Sequence, residues 1–201
     1  EEVESAISAA GLKIDRRANI EDDIAGLLAE GKVVGRFSGR MEYGPRALGN
    51  RSILARADDT SINQWLNERL MRTEFMPFAP STLMEHADRY YTGMGGAKDT
   101  ARYMTVTFNC TEESQKRQPA CVHVDNTARP QLVDQGDNPS YHKIINRYYE
   151  KTGVASILNT SFNAHEEPIV NSPADAIKAF KQCKLDALAI ENFMVLADEA
   201  R

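Results

Sequence analysis

The alternation of helix-like and strand-like segments limits this chain to a few architectures. Segment 19–31, NIEDDIAGLLAEG, carries apolar residues at helical spacing and leads directly into a strand-like segment at 32–37. The succession recurs at 138–158, where a helix-like segment ending at Gly153 precedes an apolar strand. Segments 185–190 and 193–196 are both strand-like, however, with no helix between them. The pattern predicts a single α/β or α+β domain, built on a mixed sheet with flanking helices.

Cap residues and local composition locate the other elements. Asn19 and Ser172 are suited to helix N-caps, and Pro173 follows Ser172 at the first helical position. A further helix is expected at 58–71. Extended segments are expected at 51–55, 77–84, 102–109 and 120–125.

Composition excludes several classes of protein. With 201 residues and 42% hydrophobic side chains the chain can bury a substantial core, and its net charge of −5 argues against a surface built for nucleic acid. No apolar run or signal-peptide pattern indicates a membrane protein, so a cytoplasmic location is expected. The three cysteines are far apart, which predicts reduced thiols. The start at Glu1 predicts that 1–201 is a fragment of a longer polypeptide.

The stretch GRMEYGPRALGNRS, residues 39–52, is unusually basic for an acidic protein. Between Arg36 and Arg56 lie five arginines, counting both ends, and a single acid, Glu42. Gly44 and Gly49 bracket a short loop, so the backbone can approach a ligand closely. Arginine offers a planar fork that suits phosphate or carboxylate oxygens. The alternative is a solvated surface whose arginines pair with acids elsewhere.

This stretch also contains an imperfect phosphate-binding loop pattern. Its two glycines have the spacing of GxxxxGK[ST], but Asn50 stands where the lysine belongs and Ser52 falls one place late. A strand-like segment follows instead of a long helix, so no helix N-terminus would hold the phosphates. We therefore expect anion binding by a different arrangement.

A second polar cluster, Asn159 to Asn163 in NTSFN, follows an apolar strand. We expect these side chains on a strand-end loop, where α/β proteins place ligand contacts, although a plain turn capped by its own side chains is the alternative. A nucleophilic role for Ser161 lacks support, because the GxSxG elbow is missing. His165 lacks the HExxH spacing of a metalloprotease.

The segment ACVHVD, 120–125, suggests a third constellation. As a strand it would place Cys121, His123 and Asp125 on one face and turn Val122 and Val124 toward the core. His123 and Asp125 would then be a metal pair, an acid–base pair or a hydrogen-bonded edge leading into a turn. The following Asn126 suits a left-handed turn position, and Arg129 is a further candidate anion contact.

Five motifs together resemble one protein family. GRMEYGPRALGNRSILA, RTEFMPFAPS, HVDNTARPQ, TGVASILNTSFNAHEEPIV and LDALAIENFMVL occur in the order and spacing of the C-terminal domain of the nodulation and antibiotic O-carbamoyltransferases. The resemblance spans nearly all of the chain. It implies a YrdC-like domain, a twisted open sheet with a basic concave face, joined in the whole enzyme to an N-terminal Kae1-like domain.

The resemblance also implies a reaction. Carbamoyl phosphate and ATP, with Mg²⁺, give carbamoyl adenylate, and the carbamoyl group then passes to a hydroxyl of a small-molecule acceptor in the N-terminal domain, where a further metal is possible. Arg46 and Ser161 are implied at the reacting centre, with Ser161 as a ligand contact. The implied substrate- and nucleotide-binding residues are Asn50, Arg51, Ser52, Arg72, Arg129, Asn159 and Thr160.

This chain departs from many relatives at two positions. Met76 stands where they carry an arginine, and Leu70 lies close to where they carry a lysine; Arg69 or Arg72 would then supply the charge. A second function remains open, because YrdC-like folds are also associated with RNA modification, so the alternative is a non-catalytic anion- or RNA-binding module. The acidic composition and the lack of a lysine-rich stripe argue against RNA.

Overall fold

A seven-stranded mixed sheet forms the centre of the protein. The computed structural model describes residues 1–70, 78–164 and 167–197. In chain order the sheet contains β1 (Val34–Phe37), β2 (Arg51–Arg56), β3 (Ala79–Leu83), β7 (Gln131–Val133), β8 (Ser156–Ser161), β9 (Ala187–Ile190) and β10 (Phe193–Leu196). A separate small sheet contains β4 (Tyr91–Thr92), β5 (Phe108–Cys110) and β6 (Thr127–Ala128).

The strands of the large sheet are ordered β10-β9-β1-β2-β8-β3-β7. Two neighbouring pairs, β1 with β9 and β3 with β7, are parallel, and the other pairs are antiparallel. The order brings segments that are distant in sequence side by side. Ser52 at the start of β2 thus lies opposite Ser161 at the end of β8.

Helices cover both faces of the large sheet. The helices are α1 (Glu2–Ala9), α2 (Ile20–Ala29), α3 (Ser61–Arg69), α4 (Ala87–Tyr90), α5 (Glu112–Arg117), α6 (Pro139–Thr152) and α7 (Pro173–Gln182). The sheet's side chains alternate between two cores, as strand geometry requires: Ile53 belongs to the core that contains residues of α1, α3 and α7, whereas Leu54 belongs to the core that contains residues of α2 and α6. The result is a three-layer α/β domain, and the mixed sheet with flanking helices that the sequence predicted is confirmed.

Several predicted helix boundaries are confirmed. The Ser172 hydroxyl accepts a hydrogen bond from the Asp175 backbone N–H, and the Ser172 backbone N–H donates to the Asp175 carboxylate, which forms a capping box at the start of α7. Gly153 ends α6 in the left-handed conformation. Asn19 precedes α2 as predicted, but its side chain makes no capping hydrogen bond.

The strand predicted at 120–125 is wrong. Residues Pro119–Cys121 form a 3₁₀ turn, and Val124, expected in the core, is fully exposed. The chain reverses tightly here, because the His123 N–H donates to the Thr127 carbonyl (2.7 Å) and Asp125 accepts from the Thr127 N–H and hydroxyl. Asn126 has the predicted positive φ, 62°. Of the three alternatives for His123 and Asp125, the geometry therefore matches the hydrogen-bonded edge that leads into a turn.

The strand predicted at 102–109 is also mostly wrong. Residues Thr100–Tyr103 form a 3₁₀ helix, and extended structure begins only at Phe108. Met104 has a left-handed backbone, φ 54°, which interrupts any extended run. Among the described residues, no group of three or more His, Cys, Asp or Glu side chains is placed to hold a metal ion, and no helix has the length and apolarity to cross a membrane.

We predict that Gly35→Ala destabilises the domain. Gly35 lies in the central strand β1, and a Cβ there would approach the Phe162 ring to 2.8 Å and the Leu185 side chain to 3.0 Å. Overpacking of this kind costs about 1–3 kcal/mol. The measurement is the free energy of unfolding in urea.

Gly26→Ala is the matched control for this substitution. Gly26 lies inside α2, where an added Cβ would have nothing within 4 Å, so alanine should stabilise the helix by up to about 1 kcal/mol. Equal effects of the two substitutions would contradict the close approach of Phe162 to β1.

Candidate functional site

The carboxylate of Glu42 organises the loop that follows it. Its Oε1 atom accepts hydrogen bonds from the backbone N–H groups of Leu48 (2.7 Å), Asn50 (2.7 Å) and Arg51 (3.2 Å). Hydrogen bonds to a charged acceptor are stronger than neutral ones. The one acid of the basic stretch therefore holds the backbone of the loop from one side.

Side chains of the sheet hold the same loop from the other side. The Asn159 amide donates to the Ala47 carbonyl (3.1 Å), and the Gln131 amide donates to the Leu48 carbonyl (2.8 Å). These two amides are joined, because Asn159 Nδ2 also donates to Gln131 Oε1 (3.0 Å). Strands β7 and β8 are thus both bonded to the loop.

Gly49 permits a close approach that no other residue would allow. Its φ is 117°, and a Cβ would lie 2.5 Å from the Tyr141 ring. The buried Arg36 guanidinium donates to the Gly49 carbonyl and lies 5.7 Å from the centroid of the same ring. Burial lowers the pKa of Arg36. Arg36 is therefore a structural support of the loop.

The loop forms one wall of a cleft at the end of β8. The cleft has a volume of about 150 Å³, and we call it the arginine cleft. Its lining residues are Pro45, Arg46, Ala47, Phe78, Ala79, Met104, Arg129, Asn159, Thr160 and Ser161. Met104, the residue with the left-handed backbone, is itself buried, so a strained position lies at the wall of this cleft.

The electrostatics of the arginine cleft favour an anion. Arg46 is exposed and Arg129 is half-buried, and neither forms an ion pair with a described residue. Burial, together with the charge of Arg46, lowers the pKa of Arg129. A bound anion would relieve the repulsion between the two guanidinium groups, and arginine is well suited to phosphate or carboxylate oxygens.

The structure brings together five of the residues singled out from the sequence: Arg46, Arg129, Asn159, Thr160 and Ser161. The placement of 159–161 on a strand-end loop was wrong, because these residues belong to β8 and pair with β2 and β3. The strand continues to Ser161 because β2 supplies partners along that length. Asn163 does follow the strand.

Three other predicted binding residues do not line the arginine cleft. Arg51 is buried, lies 3.5 Å from the Phe37 ring centroid and donates to the carbonyls of Ser38 and Gly39. Asn50 Oδ1 accepts from Arg36 and Asn138, and Ser52 Oγ accepts from the Gly49 N–H. Substrate contacts by these residues stay predictions. Arg72 and Met76 lie outside the described residues.

Sequence reasoning missed the supporting roles of Glu42, Gln131 and Arg36. The sequence contained one indication of a special role for Glu42, because it is the single acid among the five arginines between Arg36 and Arg56. For Gln131 it contained none, because the bond of Gln131 to Leu48 spans 83 positions of the chain.

Comparison with known proteins identifies the family. The sequence model described as "Carbamoyltransferase C-terminus" matches residues 25–197. The chain belongs to this family. It is 39% identical to nodulation protein NolO of Bradyrhizobium diazoefficiens, over 92% of the chain and 34% of NolO. It is 33% identical to the 3'-hydroxymethylcephem-O-carbamoyltransferase of Amycolatopsis lactamdurans, over 78% of the chain and 29% of that enzyme.

Solved structures support the YrdC-like fold. Full-length HypF in its phosphate- and nucleotide-bound form superposes with a TM-score of 0.62 at 22% identity, over 88% of the chain and 25% of HypF. P. abyssi Sua5 complexed with L-threonine also gives 0.62, at 15% identity, over 86% of the chain and 47% of Sua5. At these identities the likeness concerns the fold alone. This member of the carbamoyltransferase family spans about a third of the length of NolO and of the Amycolatopsis enzyme.

We predict that Glu42→Gln loosens the loop without unfolding the domain. Glutamine keeps a carbonyl acceptor but removes the charge that strengthens three backbone hydrogen bonds, so the loss should be about 1–3 kcal/mol. Hydrogen exchange of the Leu48, Asn50 and Arg51 amides is the measurement, and faster exchange is expected.

Glu112→Gln is the control, because Glu112 is exposed and its ion pair with Lys116 is long, at 3.8 Å. Unchanged protection of the three amides in Glu42→Gln would show that this carboxylate does not order the loop.

Proposed function

We propose that this domain is the part of a carbamoyltransferase that binds carbamoyl phosphate and ATP and forms carbamoyl adenylate. One observation carries the proposal: Arg46 and Arg129 face the same cleft with no carboxylate partner among the described residues. Two uncompensated guanidinium groups form a site for an anion with several oxygens. Family membership supports carbamoyl transfer as the chemistry that such a site serves.

The size of the arginine cleft suits the smaller substrate. A volume of about 150 Å³ accommodates a group of the size of carbamoyl phosphate, so the nucleotide would extend toward the open side. Arg46 and Arg129 would contact phosphate oxygens. The Ser161 hydroxyl makes no hydrogen bond to a described residue and would contact the ligand, with Thr160 beside it.

The proposed reaction develops negative charge on phosphate oxygens that Arg46 and Arg129 would contact. Water releases inorganic phosphate from carbamoyl phosphate, the resulting carbamate oxygen bonds to the α-phosphorus of ATP, and pyrophosphate leaves with the electron pair of the broken bond. Each step moves negative charge between phosphate oxygens. Donors already fixed in place stabilise such charge without reorganisation, and the hydrogen bonds that hold the Arg46 loop fix one of them.

The other components of the proposed reaction lie beyond this site. Mg²⁺ would be bound by the ATP phosphates, because the described residues that line the arginine cleft include no carboxylate. The hydroxyl acceptor and the Kae1-like domain belong, in this proposal, to the remainder of a longer enzyme.

We predict that Arg46→Ala weakens carbamoyl phosphate binding by about 1.5–3 kcal/mol, or roughly 10- to 150-fold, the range for a charged hydrogen bond. Isothermal titration calorimetry measures this directly. The melting temperature should be unchanged, because Arg46 is exposed and the hydrogen bonds of its loop are made by other residues.

Arg40→Ala is the matched control. Arg40 is an exposed arginine of the same stretch but does not line the cleft, so its removal changes the net charge equally and should leave affinity unchanged. Equal affinity of Arg46→Ala and the unaltered chain would remove Arg46 from the site. Tight RNA binding without any response to ATP or carbamoyl phosphate would overturn the proposed function as a whole.

A further inference from the structure

A second, larger concavity lies at the opposite end of the sheet from the arginine cleft. Its volume is about 800 Å³, and it lies beside the starts of β1 and β9, near Lys32 and Asp186. The arginine cleft, in contrast, lies where Ser161 ends β8 beside the start of β2. We call the larger concavity the basic groove.

Four cations surround the basic groove: Lys32, Arg69, Lys181 and Lys184. The ammonium groups of Lys32 and Lys184 make no hydrogen bond or ion pair within the described part of the chain. Lys181 donates to the Ala10 carbonyl (3.3 Å) and Arg69 donates to the Lys184 carbonyl (3.4 Å), so neither is neutralised by these contacts. In a chain of net charge −5, the described residues that line the groove therefore carry a local excess of positive charge.

One carboxylate, Asp186, is present among the described residues that line the basic groove. One of its oxygens accepts a hydrogen bond from the Val33 backbone N–H (2.8 Å). Asp186 therefore holds the strand start in place, and it leaves the groove with a net positive lining.

The interior of the basic groove is apolar and partly aromatic. Phe180 and Leu185 are buried members of the core, and Trp65 packs against that core while remaining half-exposed. The Arg69 guanidinium lies 4.9 Å from the Trp65 ring centroid, which holds both side chains at the wall. The groove thus combines an apolar floor with a cationic rim.

We propose that the basic groove binds a small amphipathic anion. The apolar or aromatic body of this ligand lies against the half-exposed Trp65, and its carboxylate, sulfonate or phosphate contacts Lys181 and Lys184. The volume falls within the range of pockets that bury small molecules, and a few charged groups around an apolar lining are typical of such pockets. The site is separate from the proposed carbamoyl phosphate site and does not depend on it.

The single tryptophan of the chain provides a direct test, because Trp65 lies in the wall of the basic groove. The probe is 8-anilinonaphthalene-1-sulfonate, an aromatic anion that accepts excitation energy from tryptophan. We expect saturable quenching of Trp65 fluorescence at one site per chain. 1-Naphthoate should displace the probe, whereas the neutral 1-naphthamide should not.

The decisive variant is Lys181→Ala with Lys184→Ala. It should weaken probe binding roughly three- to tenfold, the combined effect of two exposed charge contacts. Higher salt should reduce the difference because it screens exposed charges. Circular dichroism would verify that the variant is folded.

Two control variants separate binding in the basic groove from nonspecific attraction by net charge. Lys116→Ala with Lys151→Ala makes the same change in net charge on exposed surface away from the groove, and Arg46→Ala removes a cation from the arginine cleft. Both should bind the probe as the unaltered chain does. Absence of saturable quenching, equal affinities for all four proteins, or equal displacement by naphthoate and naphthamide would overturn the proposal.

Discussion

The three hydrogen bonds to one carboxylate oxygen of Glu42 are the interaction on which the candidate site depends. These bonds give the N–H groups of Leu48, Asn50 and Arg51 one shared acceptor, which fixes the backbone of the loop between them. The loop has too few apolar side chains to be held by burial. Its geometry is therefore determined by polar contacts, and Arg46 projects from a backbone that is fixed on both sides.

The sheet supplies the second half of this arrangement. Asn159 on β8 and Gln131 on β7 bind consecutive carbonyls of the loop, and β3 lies between the two strands. The strand order thus couples two distant parts of the chain to one short loop. The same order places Thr160 and Ser161 beside Arg46. Asn159 consequently has two roles, because it supports the loop through the Ala47 carbonyl and also lines the arginine cleft.

Local sequence signals predicted those elements that are stabilised locally. The start of α7 at Ser172 and the end of α6 at Gly153 followed from cap chemistry, which acts over a few residues. The failures at 102–109 and 120–125 have a common cause. Both segments show strand-like alternation, but left-handed residues, Met104 and Asn126, interrupt or follow them, and long-range partners decide how far a strand extends. At Ser161 the error was the reverse: a loop was predicted, but pairing with β2 extends β8 to this residue.

By itself, the sequence determined the class of fold, the family through five ordered motifs, and the concentration of arginines around one acid. It could not distinguish the arginines from one another. Only the tertiary structure decided that Arg36 and Arg51 are buried and bonded to backbone carbonyls, whereas Arg46 and Arg129 face a shared cleft. The physical reason is that every guanidinium group carries the same set of N–H donors. Its role depends on whether protein carbonyls occupy its donors, and strand pairing and packing between distant segments decide which carbonyls are near.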